Sequence, residues 1–145
     1  MGSNFPNLVE FESEDKYLEL FISEYIEKKF TTHDWKNIRV QKGHFYHIFY
    51  RDKNKPTKYF DKWLARRILH IKSIIELSSQ SIEIYEWFNI KSRRNERYYV
   101  YVYWKICIFL WEERISWDYY IITAYQKNNR DLDKLRKNKQ IKRIV

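Results

Sequence analysis

Tyr98-Tyr99-Val100-Tyr101-Val102-Tyr103-Trp104-Lys105-Ile106-Cys107-Ile108-Phe109-Leu110-Trp111 is the stretch that decides the fold. Aromatic and β-branched side chains fill it almost without a polar break, the composition of a buried pleated strand. Fourteen residues exceed an ordinary strand, so the segment reads either as one long bent central strand or as two strands that meet near Lys105. On its N-terminal side, Ile82 and Ile84 alternate with Ser81, Glu83 and Tyr85 in a short strand, and Asn89 to Glu96, with Arg93 and Arg94, makes a basic turn. On its C-terminal side, Glu112-Glu113-Arg114 is a charged turn that leads into a strand from Trp117 to Gln126. These pieces form an antiparallel meander.

Further upstream the period changes. Ser13 followed by Glu14 and Asp15 is an N-cap with acids in the first turn, and Leu18, Phe21, Ile22, Tyr25 and Ile26 predict a helix over about 14–30. Trp35 to Val40 reads as a short strand. His44 to Tyr50, aromatic and β-branched throughout, reads as a strand packed on both faces, which sets His47 with Phe45 and Phe49 and turns His44 the other way. The segment from Arg51 to Lys58 holds Lys53, Lys55, Lys58 and Pro56; it is a loop, either plainly solvated or a place for phosphate to dock. From Tyr59 to about Leu77, an apolar stripe from Phe60 to Ile75 predicts a second helix. The expected fold is α+β, with N-terminal helices packed on an antiparallel sheet of about four strands. It forms a single domain over 1–145, with 1–12 as an N-terminal extension and about 128–145 as a basic tail, a frayed helix or arm.

Composition narrows the function. The chain of 145 residues carries 28 Lys and Arg against 19 Asp and Glu, a net charge of +9, so an anionic partner is expected. Aromatics make up 19%, and flat rings mixed with cations suit phosphate neutralisation joined to base stacking. Only two Gly and two Pro occur, which excludes collagen-like and linker classes. Cys107 stands alone, so no internal disulfide forms and a reducing cytoplasmic setting is expected. No export signal or long apolar run is present, so no membrane partner is expected.

Several residues could carry chemistry. Arg67 falls inside the apolar arc of the second helix, where a permanent cation needs partners: either a phosphate or a structural acid, Glu83, Glu86 or Glu113. His70, three residues on, is its neighbour on a helix and reads either as a general acid or base or as a boundary His bonded to a backbone carbonyl. Thr123 shares a predicted strand face with Tyr119, Ile121 and Tyr125, and either packs there or donates to a phosphate beside an aromatic platform. Lys105 shares a predicted face with Tyr101, Tyr103 and Cys107, with solvent or the interior as its setting. His44 and His47, on opposite faces of their predicted strand, do not share a metal ion, and no metal or cofactor motif is found.

The helix with Arg66-Arg67-Ile68-Leu69-His70-Ile71, the Ile82/Ile84 strand, the long aromatic strand and the strand Ile121-Ile122-Thr123-Ala124-Tyr125 resemble the phage-associated and polymorphic-toxin branch of the barnase, EndoU, colicin and RelE-like ribonuclease superfamily, the BECR fold. The resemblance covers about residues 59–126. It implies helices on an antiparallel sheet of about four strands, with RNA on the open side, and metal-independent cleavage in which the ribose 2′-hydroxyl attacks the adjacent phosphate. It also implies that His70 takes the place of the helix-borne acid or base, Arg67 the phosphate clamp and Thr123 the last-strand hydroxyl, with weaker claims for Lys105, His47 and His44. Lys53, Lys55, Lys58, Arg66, Arg93, Arg94, Tyr101 and Tyr125 are the expected RNA contacts. A toxin-like endoribonuclease acting on RNA, tRNA first among candidates, with an acidic antitoxin or immunity protein as a second partner, is the leading expectation. The alternatives are a non-catalytic RNA-binding module and a basic regulatory protein that docks an acidic partner.

Overall fold

Ser13 Oγ accepts the Lys16 N–H at 3.4 Å and opens helix α1 (Glu14–Phe21), which runs on as a π-helical segment over Ile22–Glu27. Extended backbone at Lys28 ends it, three residues short of the expected boundary. The computed structural model describes residues 6–51, 59–76, 82–89, 96–113, 116–138 and 141–144. Tyr17, Phe21 and Tyr25, each four residues after the last, bury one aromatic face, with the Phe21 and Tyr25 rings stacked at 4.6 Å. A two-residue strand, β1 (Ile38–Arg39), lies within the segment where a strand is expected.

The segment expected as a strand at His44–Tyr50 is instead helix α2 (Lys42–Phe49). Composition misleads here because aromatic side chains suit either element, and tertiary packing decides between them. Phe45, Ile48 and Phe49 fall on one side of a helix, and all three are fully buried, whereas Tyr46 and His47 are exposed. The Gln41 N–H donates to His44 Nδ1 at 2.8 Å at the helix start. His44 and His47 are therefore neighbours one turn apart, not on opposite faces.

The predicted long helix is broken. Tyr59–Phe60 is a strand, β3, paired with β2 (Tyr50–Arg51). Helix α3 (Lys62–Ala65), capped by Asp61 through the Leu64 N–H at 3.1 Å, gives way at Arg66-Arg67 to α4 (Ile68–Glu76). The apolar stripe keeps its role despite the break: Leu64, Ile68, Ile71, Ile74 and Ile75 are all fully buried.

Four long strands make the antiparallel meander: β4 (Glu83–Asn89), β5 (Glu96–Tyr103), β6 (Ile106–Glu112) and β7 (Tyr119–Gln126). The parallel strand β1 flanks β7, and β8 (Ile141–Arg143) pairs antiparallel with β4, for the order β1-β7-β6-β5-β4-β8. The α+β class and the helices-on-sheet arrangement hold. The aromatic run is two strands that meet at Trp104-Lys105, the second of the two expected forms.

That turn and an irregularity at Phe109/Leu110 each shift the side-chain phase, because alternation is preserved only along an unbroken ladder. Cys107 pairs with Val102 and so faces away from Tyr101, contrary to the face inferred from continuous alternation. Leu110 pairs with Ile121 and Phe109 with Thr123, so Thr123 and Tyr125 leave the face of Tyr119 and Ile121. One face of the sheet, with Tyr101, Ile108, Leu110 and Ile121, packs under the helices. On the other, Tyr85, Val100, Val102 and Cys107 form a smaller core. Leu132 of helix α5 (Asn129–Lys137) caps that core at 2% exposure. The expected frayed tail is thus a docked helix followed by a sheet strand; its Leu132/Leu135 pair, three apart, supplies the apolar stripe that anchors it. No described helix is long and apolar enough to cross a membrane.

Candidate active site

Arg67, His70 and Thr123 occupy three separate environments. The Arg67 guanidinium lies 3.8 Å from the Trp63 ring centroid and 5.8 Å from that of Trp104, and its Nη1 donates to the Trp63 carbonyl at 2.7 Å. None of the three expected acids holds it: Glu83 pairs with Arg136, Glu86 with Arg97, and Glu113 accepts from Ser116. Two indoles answer the demand for a partner, since the ring quadrupole attracts a cation with little hydration to lose. His70 is 1% exposed, and its Nε2–H donates to the Pro6 carbonyl at 2.5 Å. Burial pulls its pKa down. That is the backbone-bonded His of the structural alternative, covered by the N-terminal segment, whose Val9 N–H also donates to the Arg66 carbonyl.

Thr123 donates to the His47 carbonyl at 3.2 Å and faces an apolar hollow with Tyr98, Phe109, Ile122 and Tyr125. The His47 side chain is exposed on α2. Lys105 is half-buried in the β5–β6 turn, its Nζ 5.4 Å from the Trp104 ring. Among the expected RNA contacts, Arg66 is engaged by Glu10 at 2.8 Å, and Tyr101 is buried. Tyr125 is exposed, with Arg51 and Lys127 at 5.0 and 5.5 Å from its ring. Lys53, Lys55, Lys58, Arg93 and Arg94 lie outside the described residues.

A different set of residues does converge. At the end of the β5–β6 hairpin away from its turn, Arg97, Glu112 and Tyr119 stand directly opposite one another on three adjacent strands. With Tyr99, Trp117 and the loop residues Asp34 and Lys36 they line a cleft of about 320 Å³. Glu112 is 8% exposed and accepts the Tyr99 hydroxyl at 3.0 Å through one carboxylate oxygen. Tyr99 stacks on Tyr119 at 5.1 Å, and Arg97 contacts Glu86 at 3.1 Å. His33 precedes the lining residue Asp34 in the chain and turns to the buried Tyr101, its Nδ1 3.4 Å from that hydroxyl.

Burial raises the pKa values of Tyr99, Tyr101 and Tyr119 above the ordinary phenol range. All three stay protonated near neutral pH and act as hydrogen-bond donors. A cleft that combines a buried carboxylate, cations and the raised phenols of Tyr99 and Tyr119 has the chemistry of an acid–base site. Among the described residues, no group of three or more His, Cys, Asp or Glu side chains is placed to hold a metal ion.

The sequence carried one signal for this cleft. Arg97, Tyr99, Tyr101 and Tyr103 alternate, so a polar end to one strand face is readable. What alternation does not supply is the strand register that sets Glu112 beside Arg97, or the loop that delivers Asp34 and Lys36. No known protein family, characterised protein or solved structure matches the chain.

Proposed function

We propose that this protein is a metal-independent endoribonuclease that cleaves RNA at the cleft lined by Arg97, Tyr99, Glu112 and Tyr119, by attack of a ribose 2′-hydroxyl on the adjacent phosphate. The observation that carries the reading is the placement of a nearly buried carboxylate, Glu112, in one cleft with the cations Arg97 and Lys36. The net charge of +9 favours a polyanionic substrate.

In this reading Glu112, whose second oxygen is not the one held by Tyr99, accepts the 2′-hydroxyl proton as the 2′-oxygen bonds to phosphorus. The departing 5′-oxygen takes a proton as its bond to phosphorus breaks, which leaves a 2′,3′-cyclic phosphate; His33, next in the chain to the lining residue Asp34, is the donor proposed for it. Arg97 and Lys36 offset the charge that builds on the phosphorane oxygens. Tyr99 holds Glu112 in place and, as a neutral phenol, does so without competing for its proton.

Purified protein is expected to cut RNA in EDTA and to leave cyclic-phosphate ends. Glu112→Gln is expected to lower the rate at least about 10²-fold, the size of a lost general base. RNA left intact, or cleavage that appears only when a divalent metal is added, overturns the reading. Salt-sensitive binding of uncut RNA would instead identify a binding module.

A further inference from the structure

Three described residues other than glycine have a positive φ: Trp35 (67°), Trp104 (53°) and Trp117 (60°). All three are tryptophan, and all are exposed, at 83%, 50% and 61%. A bulky side chain in left-handed backbone is strained, and such strain concentrates at functional positions. Glycine would meet the same backbone demand at no steric cost, so local geometry does not call for an indole at any of the three.

Trp104 has an evident structural use, since it packs against Trp63 at 6.0 Å and flanks Arg67. Trp35 and Trp117 have none of that kind: among the described residues, neither ring stacks on another ring or faces a cation. Trp117 lines the cleft, and Trp35 stands in the chain between two of its lining residues, Asp34 and Lys36. The cleft thus joins a bare indole wall to two cations, and its acidic and phenolic groups supply polar partners for the edge of a flat ring. A flat, π-faced group that carries phosphate satisfies all three features at once, and an unstacked nucleotide is such a group.

We infer that the cleft beside Trp117, with Trp35 at its rim, seats one unstacked base of single-stranded RNA, stacked on indole while Lys36 and Arg97 take its phosphate. This rests on the ribonuclease reading for the identity of the polymer and adds that the substrate is unpaired at the site. Duplex RNA, whose bases are already stacked, does not present such a group.

The test uses single-stranded DNA, which lacks the 2′-hydroxyl and stays uncut whether or not the protein is a nuclease, so binding and cleavage fail separately. Fluorescence anisotropy of a labelled ten-nucleotide strand is expected to report binding that a nucleoside 5′-monophosphate competes away and that duplex of the same length matches poorly. Trp117→Gly is expected to weaken binding by about tenfold or more, in the range of a lost stacking contact, with no fall in melting temperature because the strained backbone is relieved. Trp35→Gly is expected to act in the same direction. Trp104→Gly, at the opposite end of the hairpin, keeps binding within about threefold. Competition by ribose 5-phosphate as strong as that by the nucleotide would show a phosphate site without base recognition and overturn the inference. So would unchanged binding in Trp117→Gly.

Discussion

The two ends of the β5–β6 hairpin put a cation among aromatic rings in different ways. At the turn end, Arg67 is flanked by Trp63 and Trp104 and bonded to a backbone carbonyl, while His70 nearby is sealed under Pro6. At the far end, Arg97 stands opposite Glu112 in an open cleft with stacked tyrosines. At the turn end the guanidinium meets ring faces and a main-chain carbonyl, although the buried Arg67 Nε has no hydrogen-bond partner among the described residues. At the far end, the side chains bond chiefly to one another and border solvent. Residues suited to chemistry can therefore sit close together in sequence and still be held by packing, while a cluster of acid, cation and phenols is assembled across strands.

The largest expected effect separates the two ends by activity. Glu112→Gln should lose at least about 10²-fold in RNA cleavage, whereas His70→Asn should stay within about threefold when both are assayed at a temperature where each is folded. A loss in His70→Asn equal to that in Glu112→Gln would return the active site to the helix. Stability should show the reverse order. Arg67→Ala removes a cation held by indoles and is expected to cost about 1–2 kcal/mol in urea unfolding. Arg97→Ala breaks an ion pair whose Arg side chain is 41% exposed and should cost less than about 1 kcal/mol.

The smallest effect is a slope against pH. Burial is the main cause that holds the folded-state pKa of His70 below the ordinary His value, with Arg67 adding to it and the Pro6 carbonyl opposing it. The unfolded chain therefore binds this proton at a higher pH than the folded one does, and stability is lost as pH falls from about 6.5 toward the lowered value. His44, lowered mainly by burial as well, adds in the same direction. His70→Asn should flatten the decline in melting temperature between about pH 7 and pH 5. A decline identical to that of the unmutated protein would mean the buried imidazole does not contribute.

Much of the architecture was readable along the chain. The Ser13 cap, the apolar stripe from Leu64 to Ile75 and the extended aromatic run around Lys105 each follow from a local pattern, and each forms, the run as the second of its two expected forms. The strand expected at His44–Tyr50 failed because seven aromatic and β-branched residues in a row satisfy both periods; only contact with Phe21 and the rest of the core selects the helix. Arg67 falls inside the apolar arc by its helical angle, and His70 at its flank, but a sequence does not show that indoles will meet the one and a proline carbonyl the other.

Composition and periodicity by themselves determined the α+β class, the antiparallel meander in the C-terminal half and the net charge of +9, because burial and charge are properties that each segment carries with it. Tertiary structure alone decided the two phase shifts at Trp104-Lys105 and Phe109/Leu110, the docking of the basic tail, and the meeting of Glu112 with Arg97, Tyr99 and Tyr119. Those depend on strand register and on which surfaces come into contact. A one-residue slip reverses every side chain on a strand, so pairing between strands, rather than the order of residues within one, chooses what lines the cleft.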